Sequence, residues 1–122
     1  MFAFFQRPGA YILPAVAIVL SLGLADLARS PAAHAAPAKT VSVQIKNFAF
    51  VPAVLTISPG TTVTWTNVDE DPHSVVSTTK TFRSAALDTN GKFSFTFTKA
   101  GDFAYFCSLH PHMTAKITVK PS

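Results

Sequence analysis

From Thr40 onwards, apolar and polar residues alternate with a period of two, and that alternation leaves few folds open. Val41, Val43 and Ile45 alternate with Ser42, Gln44 and Lys46, Leu55 and Ile57 follow, and Val63 and Trp65 resume the pattern after Pro59-Gly60. Phe93, Phe95 and Phe97 alternate with Ser94, Thr96 and Thr98; Phe103, Tyr105 and Cys107 share one face, and Ile117 and Val119 finish the pattern. Successive side chains of a strand point to opposite faces, so each such segment buries one face and wets the other. No segment carries a convincing helical period. Short strands rich in Thr and Val, punctuated by Pro and Gly, predict an all-β, antiparallel Greek-key β-sandwich. Residues 77–90 lack the alternation and lead into the turn signal Asp88-Thr89-Asn90-Gly91, so they are expected to cross between the two sheets.

The first third of the chain reads differently. A short start ending in the positive charge of Arg7, an apolar middle over residues 11–24, and the small residues of Ala33-His34-Ala35 are the parts of a secretory signal. The expectation is a signal peptide over residues 1–35, cleaved near Ala35, and one mature domain over residues 36–122. The apolar run is short for a membrane span, is interrupted by Pro14 and is ended by Asp26, so export to the periplasm is expected. Release outside the cell, or membrane attachment through an uncleaved leader, are the alternatives.

After Ala35 the chain carries eight Lys or Arg against five Asp or Glu, scattered rather than clustered, which argues against nucleic acid as a partner. A domain of this size buries only about 60–65% of its unfolded surface, so a bound metal would add useful stability. It is expected to be a monomer.

The chain has one cysteine. An exported protein with a single Cys cannot form an internal disulfide, which leaves intermolecular pairing, an inert buried thiol, or a thiolate held by metal. The neighbours favour metal: Cys107-Ser108-Leu109-His110-Pro111-His112-Met113 places thiolate, imidazole and thioether at steps of three. That spacing fits a tight loop closing on one point rather than a strand. With a second histidine, for which His73 is the candidate, it gives a His₂Cys set with a weak axial Met, a donor set characteristic of electron-transfer copper. Zinc is a weaker fit, since its sites seldom use thioether.

These segments carry a family resemblance. Asn47-Phe48-Ala49-Phe50-Val51-Pro52, residues 57–67 from Ile57 to Asn67, Pro72-His73 and residues 101–113 from Gly101 to Met113 resemble the cupredoxins, the type 1 blue copper proteins. Within that family they are most similar to amicyanin and the plastocyanin–pseudoazurin group. The Cys-x₂-His-Pro-x-Met spacing resembles the short ligand loop of amicyanin. The resemblance implies one copper ion held by His73, Cys107, His110 and Met113. In it His73 is the more buried imidazole, Cys107 the thiolate carrying most of the electronic coupling, His110 the more exposed imidazole and electron port, and Met113 the axial ligand. It implies a one-electron carrier rather than an enzyme, with redox protein partners docking near His110. A copper chaperone or resistance protein is the alternative.

Two departures stand out. The family commonly has Asn after the first histidine ligand, tying the two ligand segments together; here Ser74 stands there. His112 adds an imidazole between Pro111 and Met113 and is expected to be an exposed loop residue. Asp69-Glu70-Asp71 reads as a solvated acidic run that could orient a basic partner. Most of the aromatic residues are expected in the sandwich core rather than on a stacking surface, with the Phe48–Phe50 pair able to wall the metal site.

Overall fold

The computed structural model describes residues 38–122 and, before them, residues 9, 10, 12, 14 and 15. The leader expected over residues 1–35, and its cleavage near Ala35, therefore lie outside the described residues apart from those five positions. Among the described residues no helix is long and apolar enough to cross a membrane.

Among the described residues eight strands follow in order: β1 (Thr40–Lys46), β2 (Ala49–Val51), β3 (Val54–Ile57), β4 (Thr61–Asn67), β5 (Val76–Ser77), β6 (Lys92–Phe97), β7 (Gly101–Phe106) and β8 (Thr114–Val119). They form two four-stranded sheets, β2-β1-β4-β6 and β3-β8-β7-β5. The all-β sandwich is as expected, but the sheets are mixed rather than purely antiparallel. β1 runs parallel to β4, and β3 runs parallel to β8. Alternation fixes which face a strand buries and carries no information about direction. Direction follows from connections: from β2 to β7 each successive strand changes sheet, so sequence neighbours seldom pair. Residues 77–90 do carry the chain from one sheet to the other, as expected, and bridge back through Val76 to Arg83 and His73 to Leu87.

The burial pattern follows the sequence pattern. In β4, Thr61, Val63, Trp65 and Asn67 are buried while Thr62, Thr64 and Thr66 are only partly so. Thr62 and Thr64 take part in a polar ladder on the outer face, with hydroxyl pairs Thr62–Thr96 and Thr64–Ser94 at 2.7 Å. The turn after Pro59 needs positive φ, and Gly60 supplies it at 88° without a Cβ penalty. The β1–β2 hairpin is tighter still. Lys46 pairs with Ala49, and the two residues between, Asn47 and Phe48, have φ of 53° and 56°. This matches strand twist, yet a bulky aromatic residue at positive φ is uncommon.

The core joins the sheets through aromatic residues. Trp65 of β4 and Tyr105 of β7 are essentially inaccessible to solvent, and the indole Nε1–H donates to the Tyr105 hydroxyl at 3.1 Å. Phe82, from the crossing segment, stacks on the indole with ring centroids 5.8 Å apart. This anchors β7, whose end carries Cys107, to the opposite sheet.

Burial pushes the Tyr105 phenol up to about 12 from 10.0, partly offset by the Trp65 hydrogen bond. The neutral phenol is therefore favoured by folding. Its contribution is complete below pH 10.0 and is lost as pH rises towards about 12. Denaturant titrations should show stability falling by on the order of 2 kcal/mol across that window. The Tyr105→Phe variant should lose this part of the alkaline decline.

Candidate metal centre

One end of the sandwich is built by three segments, each fixed by its own hydrogen bonds. β4 ends at Asn67, whose side chain is fully buried. Its Nδ2 donates to the carbonyls of Asp71 and Leu87, both at 2.8 Å, and its Oδ1 accepts the Asp69 amide at 2.9 Å. A buried amide with every group satisfied shapes the loop that delivers His73. The His73 backbone is then held by Leu87: its amide donates to the Leu87 carbonyl at 3.1 Å, and the Leu87 amide returns a bond of 2.7 Å. The third segment follows β7. Cys107 N donates to Met113 O at 3.0 Å, His110 N to Cys107 O at 3.2 Å and Met113 N to His110 O at 2.9 Å. These bonds close residues 107–113 into the tight loop that the spacing of Cys107, His110 and Met113 predicted.

The outcome is a triangle of donor atoms. His73 Nδ1 and His110 Nδ1 lie 3.1 Å apart, and Cys107 Sγ lies 3.8 Å from the first and 3.7 Å from the second. The point equidistant from all three is about 2.1 Å from each, within the range of transition-metal bonds to imidazole or thiolate, about 2.0–2.3 Å. His73 and Cys107 are fully buried, and His110 is partly exposed. His73 Nε2 sits 2.9 Å from Asp69 Oδ2, and an ionised carboxylate there can only accept, which favours a ring proton on Nε2 and a lone pair on Nδ1. Two imidazole nitrogens and a sulfur thus face one point at metal-bond distance. The residues present therefore fit a soft or borderline metal ion.

Electrostatics at Asp69 follow the same geometry. Burial pushes its carboxyl up, but the Phe48 and Asn47 amides and the His73 ring pull it below its ordinary value of 3.8. The Cys107 sulfur has its own donor: the Ser74 amide points at Sγ from 3.3 Å.

Of the residues expected from sequence, His73, Cys107 and His110 converge within 4.8 Å of one another. Met113 is buried beside them, its backbone tied to both Cys107 and His110. His112 is exposed and outside that cluster. The tie between the ligand segments is made differently at Ser74 from the Asn common in the family. Ser74 Oγ accepts the Ser108 amide at 2.8 Å and lies 2.7 Å from the Ser108 hydroxyl, joining the two ligand segments through a serine pair. The acidic run is not uniformly solvated: Glu70 and Asp71 are exposed, whereas Asp69 turns inward with 11% side-chain exposure. Phe48 walls the site, meeting the His73 and His110 rings edge-on at centroid distances of 5.2 and 5.0 Å. Phe50 does not; it packs in the core against Tyr105. Sequence reading missed Asn67 and Asp69 as organisers of the site. The signal for Asp69 was its position four residues before a candidate ligand histidine, within reach of that ring's second nitrogen.

Comparison with known proteins agrees with this picture. The Cupredoxin-like domain family matches residues 15–119. Amicyanin of Paracoccus versutus is 33% identical over 94 residues, covering 73% of this chain and 71% of that protein. The chloroplastic plastocyanin of Chlamydomonas reinhardtii is 31% identical over 118 residues, covering 86% and 81%. Among solved structures, the copper-containing nitrite reductase of Thermus scotoductus superposes with a TM-score of 0.64 at 32% identity over 68% of this chain, which spans 23% of that larger protein.

The serine tie has a measurable consequence. Ser74→Ala removes the acceptor of the Ser108 amide and should lower the stability of the metal-free protein by about 1–2 kcal/mol. Urea denaturation should show a lower midpoint with an unchanged slope.

Proposed function

The chain belongs to the cupredoxin-like family, and on that premise we propose that it is a type 1 blue copper protein that carries single electrons between redox partners. The observation that carries this reading is the triangle of His73 Nδ1, Cys107 Sγ and His110 Nδ1. These three residues would hold the ion, with the Met113 thioether as a further, weaker donor. Bound there, copper supplies a one-electron couple between Cu(II) and Cu(I).

The protein's part is to keep the donors still. His73 is fixed by Leu87 and Asp69, and Cys107, His110 and Met113 by the bonds of their loop. Ligands that need not move between the two states of the couple keep the barrier to transfer low. The Ser74 amide at the sulfur moderates thiolate charge and so tunes the potential. Access to the site is through His110, the partly exposed imidazole, with Leu109 at 49% and Phe48 at 48% exposure beside it. A small apolar patch around a partly exposed ligand suits brief docking of a redox partner.

Under the same reading the protein is a monomer, exported after removal of residues 1–35 and resident in the periplasm. It acts as a carrier rather than an enzyme, a reading supported by Met113 as a fourth donor, which argues against an open coordination position. A copper-delivery role draws no support from His112, which stands outside the donor cluster.

Adding Cu(II) should give an intense blue absorption that bleaches with ascorbate and returns on reoxidation. Cys107→Ser should abolish that band. A pale product from the unaltered protein would remove the thiolate from the site and favour a Cu(I)-handling role instead.

A further inference from the structure

Three backbone and ring donors converge on one carboxylate. Asn47 N donates to Asp69 Oδ1 at 2.7 Å, Phe48 N to Oδ2 at 2.9 Å, and His73 Nε2 lies 2.9 Å from the same Oδ2. The residue that receives them is itself held in place. Its amide donates to Asn67 Oδ1 at 2.9 Å, and its carbonyl accepts the Thr89 hydroxyl at 2.8 Å. We propose that Asp69 is the positioning residue of the metal centre, fixing with one carboxylate both the tautomer of His73 and the placement of Phe48 across the two imidazoles. This rests on the copper-site reading above and names the residue that makes that site ready for metal.

The demand at this point is for a group that only accepts. Three N–H groups aim at two oxygens, and an ionised carboxylate offers acceptors with no donor of its own. Asparagine, nearly the same shape, would turn an NH₂ towards at least one of those donors.

Two consequences follow from a single contact point. With the His73 Nε2–H bound to Asp69, Nδ1 presents a lone pair to Cys107 Sγ and His110 Nδ1; the opposite tautomer would aim a proton at the centre. The hairpin residues Asn47 and Phe48 sit at φ of 53° and 56°, a conformation unfavourable for phenylalanine. Asp69 takes the amides of both, and this holds the Phe48 ring edge-on to His73 and His110 at 5.2 and 5.0 Å while 48% of that residue remains exposed. A half-exposed aromatic side chain on a strained turn is otherwise unexplained by packing. Within the acidic run, Glu70 and Asp71 are the exposed carboxylates.

The test compares the full chain with its Asp69→Ala, Asp69→Asn and Glu70→Gln variants. In the metal-free proteins, ¹⁵N shifts of the His73 ring report which nitrogen carries the proton. In the copper-loaded proteins, chelator competition gives affinity and voltammetry gives the potential. The unaltered chain and Glu70→Gln should show His73 protonated on Nε2 alone. Asp69→Ala should show mixed tautomers, whereas Asp69→Asn can keep the Nε2 proton through its carbonyl oxygen. Both should show copper affinity lower by about 10–100-fold and a potential shifted upwards, since a negative charge that favours the oxidised ion is lost. Unchanged tautomer, affinity and potential in a folded Asp69 variant would overturn the proposal. If Asp69→Ala fails to fold, the nearly isosteric Asp69→Asn decides it. If the unaltered chain itself fails to bind copper, the copper reading falls, and the tautomer measurement alone decides whether Asp69 positions His73.

Discussion

Three lone-pair atoms brought within 3.8 Å of one another are the constraint around which the end of this sandwich is organised. Left to themselves, two imidazole nitrogens and a sulfur would separate or fill the space with a proton. They stay together because each is tethered from behind. His73 is pinned through Leu87 and Asp69, and Cys107 and His110 through a loop closed by its own backbone. Holding the donors in place draws on the stability of the fold, and a cation of suitable softness would bind all three.

That stability comes from the barrel of aromatic residues between the sheets. The Trp65–Tyr105 hydrogen bond crosses from one sheet to the other, and Phe82 closes over the indole. Tyr105 and Cys107 lie two residues apart near the end of β7, so the packing that fixes the phenol also fixes where the thiol emerges. Rigidity of the core is thus passed directly to the donor set. On the other side Asn67 performs the same service for His73, converting the end of β4 into an ordered loop through bonds to Asp71, Leu87 and Asp69. Family membership in the cupredoxins and the proposed carrier role are both consistent with a site whose donors have little freedom to move.

Much of this was legible in the chain itself. Period two located the longer strands because each buries one face, and the Cys107–Met113 spacing located the loop because no strand could gather those side chains. His73 was reachable as a histidine well placed to complete the set. The parallel pairing of β1 with β4 and of β3 with β8 was not legible, since direction depends on how segments cross between sheets. β5, with two residues, is too short to show a period. Asp69 read as one member of an exposed acidic run because its partners lie elsewhere in sequence, in the turn at Asn47 and Phe48, and their amides point inward only once both adopt positive φ. The partner of Ser74 was not legible because Ser108 becomes its neighbour only when the two ligand segments meet.

The central claim is that His73, Cys107 and His110 bind one copper ion directly. X-ray absorption at the copper edge of the loaded protein tests it without reference to any partner. The account predicts two nitrogen scatterers and one short sulfur scatterer, all at about 2.0–2.3 Å. A spectrum fitted by nitrogen and oxygen alone, with no short sulfur, would contradict it.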